Sequence, residues 1–126
     1  MGELLLNNGQ YNGEQIINRE FLEFATKPHP LSGGHYGAQL WLNPACATAA
    51  EDEKLPAEHP IRKKNSWLKE TVPSDAYFMS GHDGQSVFVL PSQKLVITRL
   101  GFTKDADDKK YTHSLMESLM TCVSKP

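Results

Sequence analysis

The chain has 126 residues, 39% of them hydrophobic and 22% charged, with a formal net charge of −2. At that length one domain can bury most of a modest apolar core without disulfides or metals, and the composition has neither the low hydrophobicity of a disordered chain nor the basic excess that phosphate-backbone binding needs. It argues against nucleic acid as a partner, and the sequence holds no apolar run long enough to cross a membrane and no N-terminal signal pattern, so the chain as given is expected to be soluble and untargeted.

Glu3 to Asn7 reads as the last turns of a helix, apolar at Leu4, Leu5 and Leu6, with Gly9 suited to a left-handed C-cap. A helix this short is marginal without packing, because nucleation is costly; the chain therefore reads as starting inside an element. Gly9 to Gly13, with Asn8 and Asn12, is turn chemistry. Asn18 is a good N-cap for a helix over Arg19 to Thr26, whose apolar face would be Phe21, Leu22, Phe24 and Ala25, and Pro28 and Pro30 end it.

Tyr36 to Leu42 is the first strand candidate, with Gly37 marking a bend or a close backbone approach. Ala45 to Asp75 is different in kind: it holds Pro56, Pro60 and Pro73, the acidic run Glu51-Asp52-Glu53 and the basic run Arg62-Lys63-Lys64. Connections of this length are usually functional lids or insertions, and the opposed charges fit a solvated surface. Ala76 to Ser80, Gln85 to Leu90 and Leu95 to Leu100 then read as strands of an antiparallel meander, the last two joined by a turn at Pro91 to Lys94. Their near-continuous VFVL and LVIT runs predict a sheet covered on both faces. After a polar segment, Thr103 to Lys110, an apolar stripe at Leu115, Met116, Leu119, Met120 and Val123 has helical spacing and suits packing on that sheet. The fold class is thus α+β, an antiparallel sheet with flanking helices in one domain over 1–126, with 45–75 as a long insert. The strand edges at Tyr36 to Leu42 or Gln85 to Leu90 would need pairing or protection.

Chemistry-bearing patterns are few. Cys46 and Cys122 are the chain's two cysteines, without the spacing of a zinc site; they are either two free thiols or, in an oxidising compartment, one bridge. His29, His35, His59 and His113 show no metal-binding spacing and read as scattered surface or loop histidines; neither a metal nor a cofactor is expected. The informative run is Ser80-Gly81-His82-Asp83-Gly84-Gln85, where a strand enters the hairpin and two glycines let a backbone or ligand come close. Alone, such a run is ordinary tight-turn chemistry.

A resemblance gives it more weight. The order LLLNNGQYNGEQIINREFLEFAT, YGAQLWL and SGHDGQSVFVLPSQKLVITRLGF is similar to the C-terminal portion of the serine β-lactamase and penicillin-binding-protein-like superfamily, in its class C-like and esterase-like branch, over nearly all the chain except the insert. SGHDGQ followed by VFVLPSQKLVITRLG resembles that family's third motif strand and hairpin, where Lys-Thr-Gly or His-x-Gly is common; His82, Asp83 and Gly84 are the His-x-Gly variant. In that family a Ser-x-x-Lys supplies the acylated serine and its base, and a Tyr-x-Asn or Tyr-x-Ser loop handles a second proton. The resemblance implies that His82 orients or protonates substrate, that Gly84 leaves room for it, and that the Gln85 backbone N–H is an oxyanion donor, with Asp83 and Tyr36 on the substrate side. It also implies a small-molecule or peptide substrate held by a complete domain, and relatives that are frequently periplasmic or membrane-associated.

The nucleophile is what the chain lacks. Ser66-Trp67-Leu68-Lys69 matches Ser-x-x-Lys literally, but a chain with this many serines and lysines is expected to contain about one such match by chance. It falls inside the insert, after elements it should precede, and reads as a short surface helix capped by Ser66. None of Tyr11, Tyr36, Tyr77 and Tyr111 starts a Tyr-x-Asn or Tyr-x-Ser. Ser86 lacks the second glycine of a nucleophile elbow, and Ser32-Gly33-Gly34 is a plain turn. The expectation is the C-terminal part of a serine hydrolase acting through an acyl-enzyme on an ester, amide or β-lactam-type bond, inert by itself and needing the N-terminal part of the same protein. The alternatives are a stand-alone peptide- or ligand-binding module and a dimerising module, both drawing on unpaired strand edges.

Overall fold

The computed structural model describes residues 1–32, 34–43 and 72–123, and of residues 105–109 the backbone. The chain opens with helix α1 (Gly2–Leu6), which ends where Asn8 and Gly9 turn left-handed, with φ of 53° and 85°, and the Gly9 N–H returns to the Leu4 carbonyl at 2.8 Å. Strands β1 (Gln10–Tyr11) and β2 (Glu14–Gln15) follow as a small antiparallel hairpin. Its two turn residues, Asn12 and Gly13, both have positive φ, the Asn-Gly signature of a hairpin turn that matches strand twist.

Helix α2 (Arg19–Ala25) is capped as the sequence predicts, the Asn18 side chain accepting from the Glu20 N–H at 2.8 Å. Its buried face is narrower than expected. Leu22 and Ala25 are buried, whereas Phe21 and Phe24 are 55% and 62% exposed. The two pairs have the same three-residue spacing and lie one helical step apart, so only one of them can face the sheet. The choice is fixed by Ala25, whose carbonyl accepts from the Ala38 N–H at 3.0 Å and lies so near Gly37 that a side chain there would strike it.

That approach also corrects the first strand. Tyr36 to Leu42 does not run straight: the Gly37 N–H bonds the Leu40 carbonyl at 2.9 Å, Gln39 is left-handed at φ 64°, and Tyr36 bridges back to Trp41. Only Trp41–Leu42 remains as strand β3.

Strands β4 (Tyr77–Ser80), β5 (Ser86–Leu90) and β6 (Leu95–Arg99) complete an antiparallel sheet of order β3-β4-β5-β6. The turn between β5 and β6 is a tight helical turn at Pro91–Gln93 closed by left-handed Lys94. Strand β5, expected at an edge, is central, and β6 is the outer strand on that side. Alternation along the strands divides the apolar residues between two cores. Phe78, Phe88 and Leu90 pack with Val72, Ala76, Met116 and Met120 on one face; Leu42, Tyr77 and Val89 pack with Leu5, Leu22 and Ala25 on the other. Burying each of Phe88, Val89 and Leu90, at most 1% exposed, stabilises by about 1.5–3 kcal/mol. Gly2 lets α1 press its main chain onto the sheet, since a side chain there would strike Val96 and Val87.

The closing helix, α3 (Asp105–Val123), begins earlier than the apolar stripe, taking in most of the polar segment Thr103 to Lys110. Polarity alone does not exclude helix, because Lys and Ala are good helix formers. Met116 and Met120 face the sheet, Leu115 and Leu119 are half-buried, and Val123 is exposed. Most of the insert, with Cys46, His59, Ser66 and Lys69, lies outside the described residues. Cys122 is an exposed free thiol.

Candidate functional site

The run singled out in the sequence occupies the connection between β4 and β5. Ser80 pairs with Ser86, closing both strands, and the Gly81 N–H donates to the Gln85 carbonyl at 2.7 Å. The five residues between fold into a tight turn at His82–Gly84, kinked at Asp83. Two successive residues there are left-handed, Asp83 at φ 57° and Gly84 at φ 76°. Glycine adopts that conformation freely, and Asp is among the few other residues that tolerate it. A side chain at Gly84 would strain the turn.

His82 stands out from it. Its side chain is 85% exposed, and Nε2 lies 3.3 Å from the Asp83 carboxylate, a pairing that is ionic whenever the imidazole is protonated. The Gln85 N–H, the donor implied by the resemblance, closes the turn on the His82 carbonyl at 3.2 Å, the long end of the ordinary range. Tyr36 belongs to another cluster. Its ring stands edge-on to Trp41 at 4.7 Å, Trp41 stacks on Phe78 at 6.4 Å, and Phe78 on Phe88 at 5.0 Å. The structure thus joins His82, Asp83, Gly84 and Gln85 in one turn and ties Tyr36 to the aromatic row.

Two residues that sequence reasoning passed over hold the turn from behind. Arg99, at the end of β6 and opposite Ser86, donates from its two terminal nitrogens to the Gly84 carbonyl and the Thr103 hydroxyl. The Thr103 N–H donates to the Asp83 carbonyl at 2.9 Å. Both carbonyls of the left-handed pair are therefore taken, that of Gly84 by Arg99 at the end of β6 and that of Asp83 by Thr103 in the segment that follows, and α3 contacts the same turn. The signal was present in the order Thr98-Arg99-Leu100-Gly101-Phe102-Thr103, but it becomes readable only when the strand register places Arg99 beside Ser86.

Beside the turn is an open cavity of about 520 Å³ lined by Arg99, Phe102, Thr103, Lys104, Tyr111 and Leu115. A second cavity, of about 720 Å³, lies at the other end of the strands, among Leu5, Leu22, Glu23, Asp75, Tyr77 and Lys94. His35, expected at a surface or in a loop, is in a loop but 1% exposed. Among the described residues no group of three or more His, Cys, Asp or Glu is placed to hold a metal ion. Comparison with known protein families and with curated proteins finds no match for this chain.

Proposed function

We propose that this chain is the C-terminal part of a serine hydrolase of the β-lactamase and penicillin-binding-protein-like kind, supplying one wall of a site that forms an acyl-enzyme on an ester, amide or β-lactam-type bond. The observation that carries the reading is the turn at the end of β4, which puts an exposed His82 beside Asp83 on a rigid strand end, in the sequence context whose family resemblance was described above. Rigid placement of polar groups is what charge stabilisation at a reacting centre requires. His82 would orient or protonate the substrate, and Gly84, without a side chain, would leave room for it. For the Gln85 N–H to serve as an oxyanion donor it has to exchange or share its bond to the His82 carbonyl.

No described residue supplies an activated serine, so covalent catalysis needs a nucleophile and base from elsewhere in the protein. The test is to sequence the coding DNA upstream of the Met1 codon for Ser-x-x-Lys followed by Tyr-x-Asn or Tyr-x-Ser, and to assay the product with p-nitrophenyl butyrate and a chromogenic cephalosporin. Both motifs in frame, hydrolysis by the longer product, and its loss on Ser→Ala in the first motif support the reading. Absence of the motifs, or hydrolysis by the 126-residue chain abolished by Ser66→Ala, overturns it. A second reading, a module that adds an extended peptide or a second copy along a strand edge, is favoured by the outer position of β6; a monomer in sedimentation with no saturable peptide binding counts against it.

A further inference from the structure

We infer that Arg99 and Thr103 are positioning residues for the proposed site, fixing the direction of the Gln85 N–H by capturing the carbonyls of Asp83 and Gly84. The inference rests on the hydrolase reading for its function, while its geometry stands independently. The Gly84 carbonyl and the Gln85 N–H belong to one planar peptide unit and point in opposite directions when the unit is trans. A donor that holds the carbonyl therefore aims the N–H. Arg99 provides such a donor from the sheet side of the turn, and the preceding carbonyl, that of Asp83, is held by the Thr103 N–H at 2.9 Å.

The turn needs such holding. Asp83 is a non-glycine residue in the left-handed region, a conformation that persists where its surroundings over-determine it. A charge-assisted bond from a guanidinium is stronger than one between neutral groups. The fork of Arg99 also reaches two acceptors at once, Gly84 and Thr103, so that the Thr103 hydroxyl aligns the guanidinium that aligns the carbonyl. A lysine ammonium, a point charge on a flexible stem, does not reproduce this geometry. Arg99 is half-buried between the turn and the following segment, and it does not have to touch substrate.

The decisive measurement is amide hydrogen exchange on the 126-residue chain and its Arg99→Lys, Thr103→Val and Thr103→Ser variants. Arg99→Lys and Thr103→Val should speed exchange of the Gln85 amide by about tenfold or more, the scale for losing a bond with a charged partner, while Phe88 and Val89 in the centre of β5 keep wild-type rates. Thr103→Ser, which keeps the hydroxyl, should restore protection. Unchanged Gln85 exchange in Arg99→Lys, an unprotected Gln85 in the wild-type chain, or an equal acceleration at Phe88 and Val89 overturns the clamp. In a longer product that hydrolyses ester, Arg99→Lys should lower kcat by about tenfold with KM little changed; an unaltered kcat removes the functional role. If no product hydrolyses ester, the hydrolase reading fails and the exchange data alone decide the clamp.

Discussion

The Tyr77 hydroxyl donates to the carbonyl oxygen of Leu5 at 3.1 Å, a buried bond between residues 72 positions apart that ties the first helix to the second strand of the sheet. It anchors α1 at its C-terminal end, while Gly2 seats the other end against Val87 and Val96. Tyr77→Phe keeps the ring and leaves the Leu5 carbonyl without this donor. The variant should lose about 1–3 kcal/mol in urea unfolding, with the m-value unchanged.

The same residue predicts how stability responds to alkali. Burial, and secondarily the negative charge of Asp75, push the Tyr77 hydroxyl up to about 12 from an ordinary value of 10. The folded state therefore holds this proton more tightly than the unfolded state does. The stabilisation is complete below pH 10 and is lost as pH rises toward 12, by roughly 2–3 kcal/mol over that window. Equilibrium unfolding at stepped pH should show a steeper alkaline decline in the wild type than in Tyr77→Phe.

The cap of α2 gives a more local expectation. Asn18→Ala removes the acceptor for the Glu20 N–H and should cost about 1 kcal/mol. Asn18→Asp, which keeps an acceptor oxygen, should stay close to wild type in the same titration.

Two positions on α3 have different surroundings. Met116 is fully buried against Phe88 and Leu90, whereas Val123 is 39% exposed. Met116→Ala should destabilise by about 2–5 kcal/mol and Val123→Ala by less than about 0.5 kcal/mol. Comparable losses would mean that α3 does not pack through the stripe described here.

The sequence made the meander legible because β-branched runs separated by turn residues leave little choice of element or period. The cap at Asn18 was readable for a similar reason, its effect being local. What failed depended on contacts between distant segments. Phe21 and Phe24 have the same spacing as Leu22 and Ala25, and the seating of Ala25 against Gly37 selects between them. Tyr36 to Leu42 has strand composition throughout, yet the same contact reverses the chain. At the candidate site His82, Asp83, Gly84 and Gln85 were identifiable as neighbours in sequence, whereas Arg99 and Thr103 became neighbours only through the pairing of β5 with β6.

The row of rings from Tyr36 through Trp41 and Phe78 to Phe88 crosses from the chain reversal into the centre of the sheet. Once the chain's other tryptophan, Trp67, is replaced by Phe, such a fixed, asymmetric array makes the indole of Trp41 an optical reporter of the closed reversal. Opening the Tyr36 bridge should change near-ultraviolet dichroism and indole emission while the far-ultraviolet signal of the helices persists. The protein thus carries a built-in spectroscopic marker that separates local opening of this corner from collapse of the whole fold, without any added label.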